Sequence, residues 1–215
     1  MNTQMTNWQA LLSQTAVKWL LLINITVFPI GLIISSAGPI PDFRSVGLIP
    51  MKIVEEFSRG DFFNCIVALF RHQFFHYDAA HIFFNFIFLI AAGLSLESVL
   101  GTKRFLVLYF TSGAIAAVAL VIFASDMTIP LIGASGAIAG LMGASLVLTA
   151  EQPLLSIGAF KFTIKAKHLF TLWLVLQIYL FLRAFGNPVA GQMVVHIAGL
   201  ATGFAMASLW KSDYL

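Results

Sequence analysis

The chain alternates long uncharged apolar windows with short polar segments, the windows running over 19–41, 79–96, 105–125, 127–150, 168–182 and 184–210. A helix needs about 17 to 25 apolar residues to cross a bilayer core, and five windows meet that length. The window at 168–182 reaches it by extending through Arg183, whose charged head can snorkel to the interface. The windows are continuously apolar, unlike the short alternating strands of an outer-membrane barrel. The pattern predicts an all-α membrane protein: six transmembrane helices at about 19–40, 79–96, 105–125, 135–150, 168–185 and 190–210, in one domain over 1–215. The halves differ in loop length and polar positions, so no internal repeat is visible.

Composition sharpens this picture. Hydrophobic residues make up 60% of the chain and charged residues 10%, with a mean hydropathy of +0.93. A soluble domain carries about a quarter charged residues. A soluble enzyme, a nucleic-acid-binding domain and a disordered chain are therefore excluded. The lone Cys65 rules out an internal disulfide framework and a Cys-rich metal site. The first window is longer than the apolar core of a signal peptide and contains Pro29, so cleavage is not expected. The uncharged first 17 residues are unlike an Arg-rich mitochondrial presequence.

Charge sets the expected orientation. One set of inter-helix segments collects Lys18, Lys103, Arg104, Lys161, Lys165, Lys167 and Lys211, while Arg183 alone marks the short loops of the other side. The positive-inside rule then puts both termini in the cytoplasm. Helices two, four and six share their N-terminal ends in the outer leaflet. The segment 41–78 is too long for a tight connection and too mixed for a span, and reads as short amphipathic helices in the outer interface.

Candidate chemistry lies in the polar residues inside the windows, which are costly in hydrocarbon without partners. In the fourth window, Pro130 and Gly133 make the first residues poor helix, and a good helix runs from Ser135 to Ala150. That helix spans about 24 Å, short of the roughly 30 Å core. Ser135 is thus expected below the outer surface, reached by an irregular dipping segment near water. His196 lies near the outer end of the sixth helix, and His81 and Asn85, one turn apart, near the outer end of the second. Small residues let these helices approach: Gly136, Gly140 and Ala144 form one stripe, Gly199, Gly203 and Ala207 another.

This set suggests a Ser-His dyad, with His196 as the base that activates Ser135. The Ser135 backbone N–H, the Asn85 amide and the His81 imidazole are candidate oxyanion donors. Each residue has a plainer reading. GASGA is common in helix packing, His196 could be a hydrogen-bonded structural histidine, and His72, His76 and His81 could hold a metal, although no carboxylate or cysteine completes a set. The shared depth of the residues favours the dyad.

At this point the residues resemble the rhomboid intramembrane serine proteases, from about Arg71 to Trp210. HQFFHYDAAHIFFN, from His72 to Asn85, resembles the second-helix pattern of that family. Glu97 and Gly101 in ESVLG resemble its acidic-and-glycine motif, GASG at Gly133 to Gly136 its GxSG motif, and HIAGLATG at His196 to Gly203 its HxxGxxxG motif. The resemblance implies a six-helix rhomboid-like bundle with Ser135 as nucleophile, His196 as base and oxyanion support from His81 and Asn85. It also implies single-span membrane proteins as substrates, lateral access beside the fifth helix, and no metal or cofactor. Two positions depart from the pattern: Val67 and Ala68 stand where many members carry Trp-Arg, with Phe70 and Arg71 as the substitute pair, and Ala139 stands where some place an aromatic against the base. The expected partners are transmembrane substrates and the lipid bilayer, with no nucleic acid. The expected location is a bacterial inner membrane, with the site opening outward. The competing reading is a non-proteolytic relative that binds transmembrane segments for quality control. A transporter fits poorly, since the windows lack charged midplane residues.

Overall fold

The computed structural model describes residues 15–36, 42–157, 162–187 and 189–214. Helix α1, Thr15–Ser35, starts ahead of the first uncharged window because its N-terminus is capped from elsewhere in the chain. The Ala16 N–H donates to Glu97 Oε1 at 2.8 Å and the Val17 N–H to Glu97 Oε2 at 2.9 Å. A carboxylate at this place satisfies two donors that the helix cannot, and its charge complements the helix dipole. The Thr102 hydroxyl donates a third bond to Glu97 at 2.9 Å. The last predicted residues of this span, 37–40, lie outside the described residues.

The long segment that follows forms short helices: a 3₁₀ turn at Phe43–Ser45, α2 at Pro50–Ser58, α3 at Phe62–Arg71 and a 3₁₀ turn at His72–Phe74. Asp61 starts α3 by accepting the Asn64 N–H. Helix α3 turns Cys65 and Ala68 inward and leaves Phe62, Phe63 and Ile66 exposed, the arrangement of a helix lying in an interface. The Arg71 guanidinium donates to the carbonyls of Val46 at 3.0 Å and Gly47 at 3.4 Å, and Phe70 meets Phe110 edge-on. The Phe70–Arg71 pair thus fastens this segment to itself and to the bundle.

Helix α4, Ala79–Phe123, contains both the second and third predicted spans. Its direction breaks at Gly101, with φ 71° and ψ 161°. No heavy atom would obstruct a Cβ there, so the glycine serves the positive φ and not a close contact. At the same end of the bundle Arg104 pairs with Asp213 at 2.8 Å and donates to the Tyr214 hydroxyl at 2.6 Å, tying down the C-terminal turn.

Helix α5, Ser135–Leu148, is buried along its whole length from Gly136 to Ser145. A helix apolar on every side belongs at the centre of a bundle, and this one packs between α4 and α7, Val189–Trp210. The glycine stripes make that packing possible. A Cβ on Gly199 would overlap the Gly136 carbonyl, and one on Gly203 the Gly140 carbonyl. Without a hydrophobic driving force inside lipid, such close van der Waals contact is a main source of association.

Between α5 and α6, Ala166–Ala184, the chain forms an antiparallel hairpin that the apolar pattern did not announce, β1 at Pro153–Ile157 and β2 at Phe162–Lys165. Glu151 sits at its base, paired with Lys165 and Lys167, which hold its carboxyl down at about 2. The bundle itself is all-α. It buries Leu89, Leu96, Phe105, Leu108, Leu141 and Met142 in one core.

Candidate active site

Residues 124–134 lead into α5 without regular structure, as the poor helix formers in that stretch predict. Their backbone groups find partners in the long segment before α4. Leu48 and Leu131 exchange two hydrogen bonds, at 2.9 and 2.7 Å, the Met51 N–H donates to the Met127 carbonyl, and the Gly133 N–H donates to the His72 carbonyl at 2.9 Å. Irregular backbone can lie within a membrane protein only when it is satisfied in this way or by water. The segment 42–78 is therefore the support on which the start of α5 is built.

Gly133 makes a close approach to His81. Its φ is 116°, and a Cβ would lie 2.7 Å from His81 Cε1 and 2.8 Å from Nε2. Only glycine admits both the backbone conformation and the imidazole. His81 is fixed on its other side. The Tyr77 ring stacks on it, its Nδ1 accepts the Tyr77 N–H at 3.5 Å, and the Tyr77 hydroxyl donates to the Pro130 carbonyl at 2.6 Å. His76 meets the His81 ring edge-on and is buried, which pushes its pKa down to about 3. Among the described residues no three metal-ligating side chains come together.

Ser135, Tyr77, His81, Pro130, Ile132 and Gln192 line a cavity of about 380 Å³. Ser135 is the first residue of α5, following Ala134 at the N-cap position, which has no side-chain cap. One residue on, a Cβ on Gly136 would touch the Val195 side chain at 3.0 Å, and the Gly136–Gly199 contact lies one turn further along α7. These contacts bracket His196 and bring its turn of α7 to the start of α5. The predicted residues Gly133, Ser135 and His81 thus meet at one end of the bundle, and the turn of α7 that faces them carries His196, which makes no hydrogen bond to Ser135. Asn85, one turn along α4 from His81, is buried, and its amide donates to the His81 carbonyl at 2.8 Å. That bond uses one of its two N–H groups.

Glu97 and Gly101 are placed elsewhere. They close helix ends at the opposite end of the bundle, so their part of the motif is architectural.

His196 is buried, and its two ring nitrogens differ. Nδ1 is 2.8 Å from the Gln177 Oε1 on α6, whereas Nε2 has no hydrogen-bond partner. The Trp173 ring packs against the imidazole with centroids 5.2 Å apart. The aromatic absent at Ala139 is thus replaced from a different helix. Neither Trp173 nor Gln177 was singled out from the sequence, although Gln177 is the one amide side chain in the 168–182 window and that was the available signal.

Comparisons with known proteins place the chain in a family. The chain is 25% identical over 199 residues to Rhomboid-like protease 3 of Toxoplasma gondii, covering 92% of this chain and 70% of that protein. It is 34% identical over 110 residues to RHOMBOID-like protein 5 of Arabidopsis thaliana, covering 51% of this chain and a third (33%) of that one. The sequence model of the Rhomboid domain matches residues 64–212, a stretch that holds α4 to α7 and every residue of the cavity mouth and base just described. With a bundle built around the same glycine contacts that these motifs encode, the chain belongs to the Rhomboid family.

Proposed function

We propose that this protein is an intramembrane serine endopeptidase that hydrolyses peptide bonds in or near transmembrane segments of membrane proteins. The observation that carries the reading is the unpaired, buried Nε2 of His196 on the turn of α7 that abuts the start of α5, where Ser135 opens onto a cavity. A lone pair with no competing donor can take the Ser135 proton as Oγ attacks a substrate carbonyl. The tetrahedral oxyanion then lies near the Ser135 N–H, at the positive end of α5, with His81 and the second N–H of Asn85 as further donors. On collapse, the imidazolium returns its proton to the leaving amine. Water entering through the cavity releases the acyl-enzyme by the same steps.

The Lys and Arg asymmetry supports cytoplasmic termini and a site opening to the outer face. The intact serine and histidine argue against the non-proteolytic alternative. A serine-directed fluorophosphonate should label the detergent-solubilised wild type and leave Ser135→Ala unlabelled. Equal labelling of the two would sink the reading.

A further inference from the structure

Helix α6 is the most lipid-facing of the helices around the site. Leu172, Val175, Leu176, Tyr179 and Leu182 are all exposed, and Gln177 is one of its few buried side chains, at 6%. An amide in an apolar span is costly unless it is hydrogen-bonded. The partner that Gln177 finds is the Nδ1 of His196, with the amide oxygen facing the ring at 2.8 Å. Trp173, one turn earlier on the same face, packs on the same imidazole. Helix α6 thus supplies both an orientation for the ring and an acceptor for one nitrogen.

An amide oxygen can only accept. Facing Nδ1, it selects the tautomer with hydrogen on Nδ1 and the lone pair on Nε2, and it holds the ring in one rotation about its long axis. We infer that Gln177 is a positioning residue that fixes His196 in the tautomer able to act as base toward Ser135. The inference rests on the reading of His196 as the general base. It adds a neutral third member, from a helix outside the GxSG and HxxGxxxG motifs, to a site that otherwise holds a dyad. Were the amide reversed, its NH₂ would donate to Nδ1, and the proton would sit on Nε2, where it prevents base action. The two arrangements therefore predict opposite tautomers.

The test is the ¹⁵N NMR spectrum of histidine-labelled protein in bilayers, with the His196 signals assigned by difference from His196→Gln. The wild type should show a protonated Nδ1 and an unprotonated Nε2 at neutral pH, and Gln177→Leu should shift His196 toward the other tautomer. In cleavage assays Gln177→Leu should lower kcat about 10- to 100-fold, a part of the roughly 10²- to 10⁴-fold that a well-placed base contributes, with little change in KM. Gln177→Glu keeps an acceptor toward Nδ1 and should recover most of that loss, which a simple packing role would not explain. A wild-type His196 protonated on Nε2 overturns the proposal, whatever the activity. So does Gln177→Leu with unchanged tautomer and kcat, and so does Gln177→Glu as impaired as the leucine variant. Fluorophosphonate labelling of the wild type and not of Ser135→Ala separates these results from the hydrolytic reading, because both of those proteins retain Gln177. The wild-type tautomer remains decisive if Gln177→Leu fails to fold.

Discussion

The two ends of the bundle use polar groups differently. At one end Glu97 takes three hydrogen bonds, Arg104 holds Asp213 and Tyr214, and Glu151 pairs with two lysines. Each of these groups fastens one chain segment to another. At the other end both ring nitrogens of His76 lack partners, and so does His196 Nε2. Groups left unpaired in a buried place cost stability and remain available for chemistry. The first end pairs its charged groups, and the second leaves buried imidazole nitrogens unpaired at the proposed site.

The largest expected effect tests the second half of that contrast. Ser135→Ala and His196→Ala should each lower cleavage of a reporter transmembrane substrate by roughly 10³-fold or more, with the double variant no worse than either single because the pair acts as a unit. Folding, read by thermal unfolding in detergent, should be retained. Cleavage by Ser135→Ala at the wild-type rate would show that Ser135 is not the nucleophile.

Asn85→Ala should lower kcat by about 10²- to 10³-fold, the usual cost of one oxyanion donor. Asn85→Asp should be worse, since a carboxylate either repels the oxyanion or is costly to bury. Wild-type kcat in Asn85→Ala would leave the amide with only its observed role, tying α4 to itself through the His81 carbonyl.

Gly203→Val probes the contact both ends depend on. The new side chain meets the Gly140 backbone, which cannot move aside as a side chain can, so the bundle should lose about 3 kcal/mol of stability, at the upper end of overpacking costs. Unfolding in mixed detergent measures it. Loss of activity without loss of stability would contradict the packing account.

Glu97→Gln should cost about 1 kcal/mol, typical of a lost helix cap, while kcat stays at the wild-type value. A catalytic defect in this variant would mean that the two ends are coupled.

A further effect concerns pH. His76 is held neutral by burial, its pKa lowered from 6.5 to about 3. Between those values the unfolded chain binds a proton that the folded one refuses, so stability falls as pH drops through that window. His76→Phe should flatten the dependence of the melting temperature on pH between about 6 and 4. An unchanged slope would show that His76 is not among the groups responsible. Activity should also fall on acidification once His196 is protonated, and the two effects are separated by measuring kcat where the protein remains folded.

Much of this was legible before any coordinates. Apolar windows of span length locate the helices because hydrocarbon admits only runs whose backbone is satisfied internally. The paired glycine stripes of α5 and α7 were visible for a similar local reason, since i, i+4 spacing places small residues on one face. Ser135, His81, His196 and Asn85 stood out because polar residues are rare in such windows. The break at Gly101 and the helix starts were less exact, because α4 continues through charged residues that the opposite end of the bundle partners.

Three features were decided by the tertiary structure alone. Glu97 reaches the N-terminus of α1 across 81 residues of sequence, and no local pattern encodes which helix end a carboxylate will meet. The irregular backbone before Ser135 is satisfied by Leu48, Met51 and His72, in a segment whose own pattern shows only amphipathic helices. Gln177 and Trp173 find His196 from a helix whose sequence reads as a plain lipid-facing span. The physical reason is the same in each case. Periodicity reports how a residue relates to its own helix, whereas partners of buried polar atoms depend on which helices become neighbours and at what depth.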